Sequence, residues 1–518
     1  MAKISGRQWI VVGTVASASL LQLIDTSIVN VSLSQMMGNL GATLDDIGWV
    51  ITAYAVANVV VIALSGWLAQ RVGRSRYFLA SIFVFTLASL LCGMSNNVWE
   101  LVAFRFLQGM GGGGILTTAQ AILVESFDRE DLPIANAIFG MTVVIGPTIG
   151  PTLGGWITDN LNWNWIFFVN IPIGIAAMVL AKLFLPPSTL SPPPKGTMDW
   201  QGILFLVAGI GGLQVVLERG QSQDWFESGW ILTLSVMAVV ALGSFIWREW
   251  TAPHPVVHLR LLRVRSYAVG TFFSFIQGLG LYASMFLVPV YTQGVLGFTA
   301  MDTGILLIPG SVVTALSMPV IGKMMQRGAS ARFLAGVGFF LFFLFTVMLG
   351  RLTAQVGADD FFWPLVVRGI GMGMIFIPLT TLALGQLSGS EIPQGTAMTN
   401  MVRQLGGSVG IALVTSFVER RMVFHKSVLA EHVFSTSPAA WTRIQSASAM
   451  FLRDGENQWE AQRKAIGLLE MSVLRQAAAM SYLDAFRVVG IFFIVSVPLV
   501  FLFKKPSNKI DPGSMNME

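Results

Sequence analysis

Residues 20–34, LLQLIDTSIVNVSLS, form a long apolar segment that contains one carboxylate, Asp25. A charged side chain at membrane depth costs on the order of 3 kcal/mol on insertion scales, so it usually faces a bundle interior or cavity and is functional. In a helix, the polar residues of this region fall on one side and the apolar residues on the other. The polar side contains Ser19, Gln22, Asp25, Thr26, Asn30 and Ser32, and the apolar side contains Leu20, Leu21, Ile24, Ile28 and Val31. The pattern predicts one side facing lipid and one facing a hydrated interior.

The composition of the whole chain is that of a polytopic membrane protein. Of 518 residues, 54% are hydrophobic and 11% are charged, whereas soluble domains carry about 25% charged residues. The apolar stretch that follows Lys3 and Arg7 is too long for a signal peptide and has no small-residue cleavage site, so we interpret it as a retained first span. Cys92 is the only cysteine, which excludes a disulfide framework and a cysteine metal site.

Fourteen mainly apolar segments are long enough, at about 20 residues each, to cross a hydrocarbon core of roughly 30 Å. They begin near Trp9, Ile47, Arg76, Trp99, Pro133, Trp163, Trp200, Trp230, Tyr267, Thr303, Ala331, Phe361, Thr396 and Tyr482. An even number of spans places both termini on one side. The short loops of the opposite side hold only Arg219 and Arg351 as cations. The positive-inside rule therefore predicts that both termini are cytoplasmic.

One long segment on the predicted outer side, residues 420–480, carries many cations with acids interleaved between them. Loops of this length translocate largely regardless of charge, so the segment indicates a small solvated subdomain. Its apolar residues recur at helical spacing before the last span, which predicts an amphipathic helix. These residues are Ile466, Leu469, Val473, Ala477 and Met480. The helix either folds over the outer mouth or forms a docking surface for a partner beyond the membrane.

The two halves of the chain repeat the same pattern. The segment 66–73, GWLAQRVG, is echoed by 322–328, GKMMQRG, and Arg105 is echoed by Arg368, with offsets of 256 (322 − 66) and 263 (368 − 105) residues. The repeat predicts three parts of the chain. They are an N-terminal six-helix bundle (1–186), a Pro-rich linker with two inserted transmembrane helices (187–262), and a C-terminal six-helix bundle (263–518). Two such bundles around a midplane cavity imply alternating access by rocking of the bundles.

A first motif, GWLAQRVGRSR at residues 66–76, follows the second span. Glycines allow a tight reversal between spans, and arginines can bind helix C-termini or acids of the bundle when the inner side is shut. The pattern predicts a cytoplasmic gate, and the alternative is plain positive-inside anchoring. The gate residues would be Gly66, Arg71, Gly73, Arg74 and Arg76.

A second motif, LVAFRFLQGMG at residues 101–111, lies in the fourth span and puts Arg105 and Gln108 on one helical face. With a rise of 1.5 Å per residue, Asp25 and Arg105 differ in depth by only about 4 to 5 Å, within reach of an arginine side chain. We therefore predict that the two residues pair. The pair either changes during the working cycle or is a permanent structural ion pair.

A third motif, GPTIGPTLGG at residues 146–155, lies in the fifth span. Glycines at steps of four make a groove for a neighbouring helix, and each proline removes an intrahelical hydrogen bond. The pattern predicts a tightly packed pivot and seal, and the alternative is generic close packing. The residues of the motif are Gly146, Pro147, Gly150, Pro151, Gly154 and Gly155.

Together with residues 20–34, these motifs resemble the major facilitator superfamily, and within it the fourteen-span drug:proton antiporters of the EmrB/QacA type, over nearly the whole chain. The resemblance implies an all-α fold with fourteen transmembrane helices and a place in the cytoplasmic (inner) membrane of a bacterium. It also implies export of lipophilic small molecules in exchange for protons, with the proton gradient as the energy source and no cofactor. Asp25 and Arg105 would then be the proton-coupling pair. Gln70 stands where the family usually has an aspartate.

The expected substrate cavity includes Gln22, Asn30, Gln108 and Arg403, although Arg403 could instead bind carbonyl groups structurally. The segment 420–480 resembles that of exporters which work with a periplasmic adaptor and an outer-membrane channel. Besides these, the expected partners are protons and membrane lipid, with no nucleic acid. His254 and His258 lie in a loop without other donors, so we expect no metal site.

Two rival functions stay open at this point. An uptake symporter or facilitator could share the fold, although in the resembling family the motif at residues 146–155 marks exporters. A polytopic membrane enzyme or receptor would need a catalytic constellation at the membrane edge. The sequence contains no H-E-x-x-H motif, Walker loop or nucleophile motif, so we assign no catalytic residues.

Overall fold

The computed structural model describes residues 6–128, 130–185, 198–387, 391–431, 433 and 437–500, and within them the regular structure is helical. The N-terminal half contains α1 (Gly6–Leu40), α2 (Leu44–Val72), α3 (Arg74–Gly93), α4 (Val98–Ser126), α5 (Leu132–Asn160), α6 (Trp165–Phe168) and α7 (Asn170–Phe184). The inserted helices are α8 (Trp200–Leu206), α9 (Gly212–Arg219) and α10 (Gly229–Thr251). The C-terminal half contains α11 (Arg265–Tyr291), α12 (Ala300–Gln326), α13 (Ala331–Leu349), α14 (Phe362–Leu384), α15 (Glu391–Ala430), α16 (Pro438–Arg453) and α17 (Gln458–Leu499).

Thirteen helical segments in the described ranges are long and apolar enough to cross a membrane, by length and composition. α4 is not among them, although it is 29 residues long. Its five glycines between residues 109 and 114, together with Gln108 and Gln120, lower its hydropathy. Most residues of α4 are buried among neighbouring helices. With α4 included, the fold agrees with the predicted all-α arrangement of fourteen spans.

The last span differs from the prediction at its start. It was expected to begin near Tyr482, but α17 runs without a break from Gln458 to Leu499. At 1.5 Å per residue, its 42 residues measure about 63 Å, roughly twice the hydrocarbon core. About half of α17 therefore projects beyond the membrane, where it packs against α16. Of the predicted apolar stripe, Leu469, Val473, Ala477 and Met480 are buried or half-buried, whereas Ile466 is exposed. The buried side continues toward the start of α17 through Ala461 and Ala465.

The predicted lipid-facing side of α1 is wrong. Leu21 and Ile28 are fully buried in protein, and it is Asn30 on the predicted hydrated side that is exposed. The reason is that α1 is enclosed by α4, α5 and α7, so that most of its circumference contacts protein. A single amphipathic pattern cannot distinguish a lipid neighbour from an apolar helix neighbour.

The two halves begin their second span in the same way. Thr43 caps α2 and Asp46 closes a capping box, and Thr299 with Asp302 does the same for α12. The offset of 256 residues (299 − 43) equals that of the loop motifs. α2 then ends before Gly73, whose φ of 91° lies in the region that favours glycine. The structural correspondence thus extends the repeat seen in the sequence, while the domain boundaries stay a prediction because the Pro-rich linker lies outside the described residues.

The inserted helices are attached to both halves. Arg219 at the end of α9 forms an ion pair with Asp45 at the start of α2. From the same helix, the Gln214 amide donates to Ser408 of α15 at 2.8 Å. In the last turn of α10, the buried Glu249 carboxylate accepts hydrogen bonds from the backbone N–H groups of residues 256 and 257, which holds the following loop in place. α8 to α10 therefore act as a fixed part of the fold.

The halves meet at their predicted inner ends. Gly66 of α2 packs against the backbone of Pro393 and Gln394 of α15, so closely that a Cβ at position 66 would lie 2.8 Å from the Gln394 Cα. Nearby, the Gln326 amide of α12 donates to Asp131, just before α5, at 2.7 Å. These contacts close one end of the interface between the halves.

We predict that Gly66→Val opens this end, because the added side chain has no room against α15. The measurement is labelling of a cysteine introduced for the buried Ala397 by a membrane-impermeant maleimide in everted vesicles; Cys92 is buried and gives little background. Labelling should rise in Gly66→Val. It should stay low in Gly155→Val, because an added Cβ there meets no atom within 4 Å. Equal labelling in the two variants would contradict the prediction.

Candidate functional site

The site is built around α1, which is held close to α5 by the glycines of the third motif. A Cβ at Gly146 would collide with Leu23, and one at Gly150 with Ser27. Gly154 repeats this contact one turn further along against Ile28, whereas Gly155 has open space. The predicted groove therefore exists, and α1 is the helix that occupies it. Close packing of α1 fixes the position of Asp25 at its centre.

Asp25 is fully buried and accepts three hydrogen bonds. Its Oδ2 accepts from Arg105 Nη1 at 2.8 Å, which is the predicted ion pair. Its Oδ1 accepts from Gln108 Nε2 at 2.9 Å and from Asn170 Nδ2 at 2.6 Å. All three partners are N–H donors, so the surroundings are arranged for a charged carboxylate.

Arg105 is 2% exposed and uses its donors inside the same cluster. Besides Asp25, its Nη1 donates to Gln108 Oε1 at 2.7 Å, and its Nε donates to the Val50 carbonyl of α2 at 3.4 Å. The guanidinium lies over the Tyr54 ring, 4.2 Å from the centroid. A planar guanidinium suits this combination of forked hydrogen bonding and stacking, which lysine could not reproduce.

Ser89 of α3 connects the two amide side chains. Its Oγ accepts from Gln108 Nε2 and from Asn170 Nδ2, both at 2.9 Å, and donates to the Phe167 carbonyl at 3.2 Å. The span that carries Asn170 breaks between α6 and α7, and this residue is the first of α7. The cluster thus ties α1, α3, α4 and α7 together within the N-terminal half.

Sequence reasoning missed three members of the cluster, Ser89, Asn170 and Tyr54. Asn170 stands in WNWIFFVNIP, residues 163–172, where it is the only strongly polar side chain after Asn164 and thus a detectable signal. Ser89 is an ordinary small residue in α3, and nothing in the sequence indicates its contacts.

The structure places the residues predicted to line a substrate cavity in different parts of the molecule. Gln108 belongs to the Asp25 cluster and is fully buried. Gln22 donates to the Tyr54 hydroxyl at 3.0 Å, beside that cluster. Asn30 is exposed on α1. Arg403 lies away from these residues, on α15 in the other half.

The predicted gate residues differ in their contacts. Arg74 pairs with Glu125 at the end of α4, which ties α3 to α4. Arg71 lies over the Trp67 ring at 5.2 Å, and Arg76 is exposed. Within the described residues, no group of three histidine, cysteine or acidic side chains could hold a metal ion.

Comparisons with known proteins agree with this architecture. The profile of the Major Facilitator Superfamily matches residues 15–411. The chain is 33% identical to the fatty acid resistance protein FarB of Neisseria gonorrhoeae and 33% identical to the multidrug export protein EmrB of Escherichia coli K12, in each case over 94% of both chains. A solved structure of the human organic anion transporter MFSD10 superposes with a TM-score of 0.58, covering 94% of this chain and 100% of that one, at 12% identity.

The last similarity supports the fold alone, whereas the first two extend over nearly the whole sequence. The expected family is therefore confirmed, and the protein is a multi-span membrane transporter rather than an enzyme. Its described helices, its repeated halves and its relatives lead to one conclusion: the chain belongs to the major facilitator superfamily, in the group of multidrug efflux transporters that includes EmrB and FarB.

Proposed function

We propose that the protein exports lipophilic small molecules across the bacterial cytoplasmic membrane in exchange for protons, and that Asp25 carries the proton. The observation that supports this most strongly is the buried Asp25–Arg105 pair. Among the acids of other described helices, Glu218 lies one residue from the end of α9 and Glu249 two residues from the end of α10. Asp25, in contrast, lies 19 residues into α1 (25 − 6).

The cluster is suited to a change of protonation. A carboxylate beside a guanidinium is stabilised in its charged form, so movement of Arg105 away from Asp25 would favour proton uptake. The Asn170 Oδ1 atom is buried and has no hydrogen-bond partner among the described residues. Rotation of this amide would turn an acceptor toward a protonated carboxyl group. The same residues can therefore satisfy both forms of Asp25, which an antiporter requires.

The proposed cycle follows from where the cluster lies. Because Asp25 binds α3, α4 and α7 through its hydrogen bonds, its protonation weakens contacts within the N-terminal half. Protonation from the outer side would favour the state that opens inward, and binding of the exported compound would favour release of the proton. The closed contact between Gly66 and Gln394 is then one of two alternating arrangements. Both termini are cytoplasmic in this proposal, in line with the distribution of cations.

We also propose that α16 and the projecting part of α17 bind a periplasmic adaptor protein that leads to an outer-membrane channel. This hairpin exposes large apolar side chains, with Trp459 69% and Met471 66% exposed. Between the two helices lies a groove of about 530 Å³, lined among others by Phe451 and Leu468. A solvated segment with such apolar surface is typical of a protein interface.

The proton-carrier role predicts that Asp25→Asn abolishes coupling. In everted vesicles with a respiration-driven pH gradient, ethidium, rhodamine 6G or dodecanoate should dissipate the gradient when the wild-type protein is present. Asp25→Asn should give no such response while remaining in the membrane at the normal amount. Asp45→Asn is the matched control, because Asp45 pairs with Arg219 at the end of the bundle. Equal dissipation by wild type and Asp25→Asn would refute the assignment.

The ion pair predicts a second outcome, on stability. Arg105→Gln leaves the buried Asp25 charge without its cation, and breaking a buried pair in this way costs roughly 3–5 kcal/mol. We expect a clear fall in the thermal unfolding temperature of Arg105→Gln in detergent. The double variant Asp25→Asn/Arg105→Gln should recover much of this loss, since no isolated charge remains. A double variant less stable than Arg105→Gln would contradict this account of the cluster.

The adaptor proposal predicts loss of a partner without loss of transport. Replacing Leu468 and Met471 by aspartate places charges in the hairpin groove, far from Asp25. Crosslinked envelope proteins should no longer copurify with this variant, while dissipation of the pH gradient in everted vesicles should stay at the wild-type level. Unchanged copurification would instead favour a hairpin that covers the outer mouth.

A further inference from the structure

Arg403 of α15 is a buried cation without a counterion. It is 5% exposed, and its Nε and Nη2 atoms have no hydrogen-bond partner among the described residues. None of the ion pairs in the described part of the chain includes it. A guanidinium stays charged in proteins, and a buried charge is normally paired because its desolvation is costly. The structure therefore keeps an unpaired positive charge inside the protein.

This residue lies at membrane depth. It is 12 residues (403 − 391) from the start of α15, or about 18 Å along the helix at 1.5 Å per residue. That distance places it near the middle of a core of roughly 30 Å. Aqueous anions do not reach this depth freely, so a counterion must enter by way of the transport pathway.

The position of Arg403 is at the interface of the two halves. Its guanidinium lies 5.0 Å from the centroid of the Phe376 ring of α14. Phe376 in turn contacts Phe139 of α5, in the N-terminal half, with ring centroids 6.5 Å apart. One turn before Arg403, Asn400 donates to Gln120 of α4 at 2.7 Å, which is a second contact between the halves.

The same interface holds a second free donor. Because the Gln120 Oε1 atom accepts from Asn400, its Nε2 remains buried without an acceptor. Arg403 and Gln120 thus flank Asn400 from the two halves, and both present N–H groups that are not used. Donors without acceptors around a cation are the arrangement that an oxyanion would complete.

Three other arginines described above have an acid as their partner within the protein. Arg105 has Asp25, Arg74 has Glu125 and Arg219 has Asp45. Desolvating an arginine without supplying an acid is costly, so its retention indicates a ligand that supplies one.

We propose that Arg403 and Gln120 bind the anionic group of a lipophilic monoanion, such as a carboxylate or phenolate, during export. The rings of Phe376 and Phe139 and the thioether of Met318, which packs in the same apolar cluster, contact the apolar part of the ligand. This inference rests on the proposed export function and adds the residues that would hold the anionic group of such a substrate. Because the donors come from α4 and α15, the anion links the two halves. Binding therefore favours the states in which these halves lie close together.

The test is direct binding to purified protein in phosphatidylcholine nanodiscs, without any gradient. Radiolabelled dodecanoate, 1-dodecanol and dodecyltrimethylammonium share one chain and differ in charge. Wild type should bind dodecanoate, and Arg403→Gln should bind it at least about tenfold more weakly, the effect of one lost charge-assisted contact. Arg403→Lys should bind with intermediate affinity. Binding of the alcohol and the cation should not fall in either variant.

Arg368→Gln is the matched control, since it removes another arginine at membrane depth, one whose guanidinium faces Phe345 within the C-terminal half. It should keep the affinity for dodecanoate. An equal loss in Arg368→Gln, an equal loss of all three ligands in Arg403→Gln, or no loss in Arg403→Gln would each overturn the proposal. Thermal unfolding of every variant shows whether a loss of binding comes from misfolding. If Arg403→Gln is misfolded, Arg403→Lys is used for the test instead.

Two further measurements distinguish this proposal from binding of lipid headgroups and from the proposed antiport. Adding phosphatidylglycerol to the nanodiscs should leave dodecanoate binding unchanged; competition would assign the site to lipid headgroups instead and would overturn the substrate class. If dodecanoate binds through Arg403 but its addition never dissipates a proton gradient, the proposed antiport fails while the anion site stands.

Discussion

The fold depends on satisfying one buried carboxylate inside a membrane. Asp25 cannot be hydrated where it lies, and three N–H donors from α4 and α7 replace water around it. Meeting that requirement fixes α1 against two other spans and brings in α3 through Ser89. The cluster makes the N-terminal half a unit whose internal bonds depend on one charge. A charge that can be neutralised is therefore a natural point of control.

Small residues make this geometry possible. α1 reaches its position because Gly150 and Gly154 let α5 approach its backbone, and α4 approaches α2 at Gly109 and Gly113 in the same way. Without a hydrophobic driving force between helices in lipid, close packing of this kind supplies much of the association. The glycine-rich run of α4, which lowers its hydropathy, is thus what allows Arg105 to lie deep in the bundle.

Much of this arrangement could be predicted from sequence. The pairing of Asp25 with Arg105 followed from their similar depth, and the groove at residues 146–154 followed from the glycine spacing. The sequence could not predict that Leu21 and Ile28 face protein, because apolar helix neighbours and lipid select the same side chains. It also could not predict the contacts of Ser89, since a single small polar residue carries no pattern. The unpaired state of Arg403 depends on which acids lie nearby, and only the fold determines that.

The central claim is that binding of exported compound releases a proton from Asp25. It is tested most directly with purified protein in weakly buffered detergent solution, where a pH-indicator dye follows the addition of ethidium. Wild type should release protons in proportion to the ethidium bound, and Asp25→Asn should bind ethidium without releasing any. Proton release of the same size from Asp25→Asn would contradict the account.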